Sequence, residues 1–109
     1  MPKTMPAWQP ARIAALLDCN DLAVERAVIA IFRRQTADEQ ATEETRHRNH
    51  RGFAACHARR GSYYARWCLA GRHLDGQHLA LARRMTKHYT AQLAEVAAEK
   101  SESRLLQTA

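Results

Sequence analysis

The chain has 109 residues, 17 lysines and arginines against 11 aspartates and glutamates, and a net charge of +6. That length fits one small domain with a modest core, and a charge of this sign suits an acidic or polyanionic partner. Cys19, Cys56 and Cys68 are odd in number and irregularly spaced, which argues against a disulfide framework, and no apolar run reaches membrane-spanning or signal-peptide length. A protein of the reducing cytoplasm, without a membrane partner, is expected.

Residues 1–9 carry Pro2 and Pro6 and read as a flexible arm, with Trp8 the one large group able to pin it to the body. Pro10 suits the first turn of a helix, and Ile13, Leu16 and Leu17 at i, i+3 and i+4 extend it over 10–18. Asn20 or Asp21 can cap a second helix. Its Val24, Val28, Ile31 and Phe32 form one apolar face, with Arg26, Arg33 and Arg34 on the others.

From Arg33 to Arg51 no large apolar residue occurs, so this stretch cannot bury a face of its own. Thr36 and Glu39 make a capping box, and Glu44 precedes Arg48 by one turn, so the pattern predicts a separate solvated helix over 37–46. Asn49 to Gly52 then suits a turn, because both end residues tolerate positive φ.

A third core helix is predicted over 54–70, with Tyr63 or Tyr64, Trp67 and Cys68 sharing a face, Gly61 a potential break and Gly71 a C-terminal cap. Asp75 can cap a long last helix in which Leu79, Ala82, Met85, Tyr89, Leu93 and Val96 recur at threes and fours. The same stripe, Leu79 to Val96, is the candidate seam of a homodimer. Fraying is expected near Ser101, leaving 102–109 as a flexible tail from which Leu105 and Leu106 can dock. No segment alternates with period two. The fold expected is all-α, a single domain of four to five helices over 10–101.

The charge is local. Residues 45–74 contain seven arginines, Arg46, Arg48, Arg51, Arg59, Arg60, Arg66 and Arg72, and no acidic residue or lysine, so this window contributes +7 and the rest of the chain −1. Guanidinium forks bond phosphate bidentately and stack on flat rings, which an ammonium does not do. Phe53, Tyr63, Tyr64 and Trp67 are interleaved with them, the mixture that binds nucleic acid; the same rings also suit a core, with the arginines as its solvated side. The candidate contacts are Arg46, Arg48, Arg51, Arg59, Arg60 and Arg66 to phosphate, with Tyr63 or Tyr64 stacking on a base.

Other constellations are thinner. A helix-turn-helix can be drawn through Gly71 to Gly76, placing Gln77 and His78 at the start of a recognition helix that also carries Arg83, Arg84 and Lys87, but its connection is longer than that motif uses. His47, His50, Cys56 and His57 include good zinc ligands without the spacing of a known finger, so no metal or cofactor is expected. Glu39, Glu43 and Glu44 are a solvated acidic patch, and Cys56 beside His57 in sequence is not evidence of a nucleophile and its base, so the expectation is binding without catalysis.

The run Arg34-Gln35-Thr36-Ala37-Asp38-Glu39-Gln40, followed by Thr45, Asn49, Gly52-Phe53, Ala58, Gly71, Leu74, Lys87-His88-Tyr89 and Gln92-Leu93, resembles small proteins encoded by bacteriophages and plasmids. The resemblance covers about 33–96, and the chain departs from it at His50 and His57. It implies a mobile genetic element in a bacterial host. There a small basic protein either handles the element's nucleic acid or blocks a host defence, in the manner of an anti-CRISPR protein, by presenting its basic face to an acidic protein surface.

Overall fold

The structure, a computed structural model, describes residues 9–41 and 52–108, the side chains of 37–41 and 101–108 excepted. Its elements are α1 (Pro10–Cys19), α2 (Asp21–Ala41), α3 (Ala55–Leu69), α4 (Gly76–Thr86), a 3-10 turn (Lys87–Tyr89) and α5 (Thr90–Thr108). The all-α expectation holds. Trp8, Glu43 and Glu44 lie outside the described residues, as do the side chains of Glu39, Leu105 and Leu106.

Local chemistry sets the helix ends. Pro10 occupies the first turn of α1, where its missing N–H has no partner to lose. Asn20 caps α2: its Oδ1 accepts the Ala23 N–H at 3.0 Å. α3 closes on a Schellman turn in which Gly71, at φ 91°, donates to the Cys68 carbonyl and Arg72 donates to that of Trp67. Asp75 precedes α4 as expected, but its side chain makes no capping bond there.

α2 is the central helix and packs against α1, α3, α4 and α5. Its Val24, Val28 and Ile31 are fully buried, joined by Ile13 and Leu17 from α1, Tyr64 and Ala65 from α3, Ala82 and Met85 from α4, and Tyr89 and Leu93 beyond. Each such aliphatic side chain contributes about 1.5–3 kcal/mol by leaving water. Because Ala82, Met85, Tyr89 and Leu93 face this core, the middle of the stripe expected to join two copies is occupied within one chain.

Several expectations are corrected. α2 does not stop before Thr36. That hydroxyl bonds back to the carbonyls of Phe32 and Arg33, as threonine does inside a helix, and does not cap a new one. Arg34 is buried, not on an outer face: it reaches the Gln92 carbonyl at 3.2 Å and the Glu95 carboxylate at 3.0 Å. α3 runs unbroken through Gly61, which lies under the Phe53 ring. The long last helix is present as expected, running from Gly76 with a 3-10 turn at Lys87–Tyr89 within it, and its helical backbone reaches Thr108.

Two polar clasps fix the frame. Glu25, 7% exposed, accepts the Leu74 N–H at 2.6 Å and meets His73 Nδ1 at 3.0 Å, tying α2 to the loop before α4. On the far side of α4, Arg83 pairs with Asp21 and donates to the Leu17 carbonyl, while Lys87 pairs with Asp18.

Candidate nucleic-acid interface

α3 and α4 diverge enough to leave an open groove of about 920 Å³ between them. α3 contributes Cys56, His57, Arg59, Arg60, Tyr63 and Tyr64; α4 contributes Gln77, His78, Leu81, Arg84 and Met85, and the 3-10 turn adds His88. Three arginines and three histidines therefore converge on a lining that contains no carboxylate. Asp18, Asp21, Glu25 and Glu95 each pair with a basic side chain outside the groove. Arg59, Arg60 and Arg84 are exposed and have no carboxylate partner among the described residues.

Helical geometry explains the division of α4. Arg83 and Lys87, four residues apart, face Asp21 at the start of α2 and Asp18 near the end of α1, whereas Arg84 and His88 lie on the next stripe round and face the groove. Sequence reading placed Arg83, Arg84 and Lys87 on one recognition helix without this separation. The connection over 70–75 is six residues long, and His78 Nδ1 lies 3.1 Å from the Tyr64 hydroxyl, so the start of α4 is engaged with α3.

The two tyrosines have different roles. Tyr64 is 2% exposed and is a core residue whose hydroxyl meets His78. Tyr63 is 55% exposed and presents its ring to solvent beside Trp67, with centroids 6.2 Å apart. Of the two, Tyr63 is the ring available for stacking. Arg66 is not in the groove: its guanidinium sits over the Phe32 ring, 5.6 Å from the centroid, on another side of α3. Arg72 stacks on Trp67 at 4.4 Å. Arg46, Arg48 and Arg51 lie outside the described residues.

His57 sits at the base of the groove. The Ala54 N–H donates to the Tyr89 oxygen at 3.0 Å, and the Tyr89 hydroxyl shares a hydrogen bond with His57 Nδ1 at 2.5 Å. With the phenol as donor, we assign the neutral imidazole as the acceptor at Nδ1, with its hydrogen on Nε2. Its pKa is lowered from the ordinary 6.5, first by burial, then by the neighbouring His88 and Arg60. Burial likewise raises the Tyr89 pKa, against the Ala54 hydrogen bond. His47 and His50 lie outside the described residues, and no cluster of three or more metal-ligating side chains occurs among the described ones.

Arg59, Arg60, Tyr63 and Tyr64, candidate contacts on sequence grounds, form one wall of this groove. Sequence reading missed Arg84 and His88 as their partners, because only tertiary packing brings the opposite wall round. No helix among the described residues is long and apolar enough to cross a membrane. No protein-family model, curated protein or solved structure matches the chain.

Proposed function

We propose that the protein binds nucleic acid without catalysis, with the α3/α4 groove as the binding surface. The observation that carries this reading is the convergence of Arg59, Arg60 and Arg84 on a concave lining free of carboxylates. Such a surface attracts a phosphate backbone and holds it by forked hydrogen bonds. Tyr63 supplies an exposed ring beside it. In the phage or plasmid setting that the resemblance implies, the ligand is the element's own nucleic acid or that of its host.

The test is fluorescence anisotropy with labelled oligonucleotides over a salt series. Arg59, Arg60 and Arg84 alone give a logarithmic salt slope of about −2 for a single strand or about −3 for a duplex, and the arginines at 46, 48 and 51 steepen it. Arg59→Glu with Arg60→Glu should abolish binding, and Arg84→Glu should weaken it severalfold from the opposite wall. Absence of binding to every oligonucleotide at low salt would overturn the proposal and favour an acidic protein surface, the anti-CRISPR-like alternative, as the groove's partner.

A further inference from the structure

A second, smaller recess opens off the groove and shares Tyr63, Tyr64 and His78 with it. Its volume is about 120 Å³, and Trp67, His73, Leu74 and Asp75 complete its lining. Asp75 supplies the one carboxylate in the two cavities; the residue is exposed, and its side chain has no hydrogen-bond or ion-pair partner among the described residues. A phosphate would be repelled there. A flat ring bearing N–H donors on its edge would not.

We infer that the ligand is single-stranded, with a guanine stacked on Tyr63 and its Watson–Crick edge turned to Asp75 while the flanking phosphates lie along Arg59, Arg60 and Arg84. This rests on the nucleic-acid reading above and adds strand state and base to it. Three observations carry it. The basic surface is concave, whereas reading a duplex requires an element that projects into its groove; the start of α4, which would have to project, is held to α3 by the His78 to Tyr64 contact. The exposed ring borders both cavities, the combination of charged track and stacking platform that suits an unpaired strand. The carboxylate selects the base: guanine presents two adjacent donors, N1–H and the N2 amino group, to its two oxygens, whereas uracil and thymine set their single donor between two carbonyls that Asp75 repels.

The experiment titrates the full chain against three labelled probes of equal length: a thymine strand with one central guanine, the all-thymine strand, and a duplex carrying the same guanine. An RNA pair of the same design separates the two sources of a single strand. The expected result is tightest binding to the guanine strand. Tyr63→Ala should weaken it by about tenfold, the loss of one base stack. Asp75→Asn should erase the margin between guanine and thymine strands while leaving thymine-strand binding as tight or tighter. Both residues are exposed, and circular dichroism of the variants checks that the fold is kept. A duplex bound as tightly as the strand, or a Tyr63→Ala variant with undiminished affinity, overturns the inference while leaving nucleic-acid binding intact. Equal affinity for the guanine and thymine strands overturns the assignment of Asp75. No binding to any probe overturns the underlying reading as well.

Discussion

The side-chain amide of Gln92 closes on the backbone of Gly52 from both directions: its Oε1 accepts the Gly52 N–H and its Nε2 donates to the Gly52 carbonyl, each at 2.9 Å. Gln35 Oε1 accepts the next N–H, from Phe53, at 3.1 Å. Gly52 and Phe53 are thus pinned between α2 and α5, which holds Phe53 in the core just ahead of α3.

Gln92→Ala leaves both backbone groups of a buried residue without their partner and should cost about 1–3 kcal/mol. For a chain of this size each kcal/mol lowers Tm by roughly 4–8 °C, so calorimetry resolves the change. Gly52→Ala should cost more. Its φ of 88° is left-handed, and a Cβ there would lie 2.5 Å from that of Gln35. A Gly52→Ala protein as stable as the wild type would disprove this account of the clasp.

Gly61 tests a competition between two effects of known size. An alanine within a helix is favoured over glycine by about 1 kcal/mol. Here, however, its Cβ would lie 2.5 Å from the Phe53 ring, which is itself 8% exposed and set edge-on to Tyr89, so it cannot swing away. Overpacking of this kind costs about 1–3 kcal/mol, so Gly61→Ala should be net destabilising. In a Phe53→Leu background the obstruction is smaller, and the same substitution should become neutral or stabilising. Urea denaturation of the four proteins in this cycle gives the coupling directly.

The positive φ of Gly52 is legible in the sequence as a turn, whereas the role of Gly61 is not. Apolar spacing revealed the helices because a buried face recurs locally, and Asn20 and Gly71 were legible as caps because their chemistry acts within a few residues. Gly61 looked like a helix breaker because Phe53, whose ring requires it, reaches it only through the fold. Arg34 looked like a surface charge for the same reason, its partner Glu95 lying far along the chain, and the role of Glu25 has no local signal because His73 and Leu74 are equally distant. Half of the groove followed from local pattern, Arg59, Arg60 and Tyr63 being close together on one helix. The other half required knowing that Arg83 and Lys87 turn to Asp21 and Asp18 and Arg84 does not.

The lowered pKa of His57 sets a sign for pH dependence. The unfolded chain takes up the proton near the ordinary 6.5, whereas the folded chain resists it until lower pH because of burial, His88 and Arg60. The contribution of His57 is therefore present above pH 6.5 and lost as pH falls through the folded-state value. His57→Gln should lower Tm at pH 7.5, where the Tyr89 bond is intact, and the gap from the wild type should close as pH drops below 6.5. A gap that stays constant or widens on acidification would contradict the assignment of the neutral ring as acceptor.

Thiol reactivity reports on both the core and the groove. Cys19 and Cys56 are exposed, whereas Cys68 is half-buried, and burial together with the charge of Glu25 pushes its pKa up to about 11. At pH 8 only about one Cys68 in a thousand is the reactive thiolate. Ellman's reagent should therefore titrate two thiols quickly and the third slowly, the third becoming fast in urea. Cys56 lines the groove and Cys19, at the end of α1, does not. A saturating single-stranded oligonucleotide should slow modification of Cys56 severalfold and leave Cys19 unchanged, as peptide mapping after a brief maleimide pulse would show. Equal protection of both thiols, or of neither while anisotropy reports binding, would place the nucleic acid somewhere other than between α3 and α4.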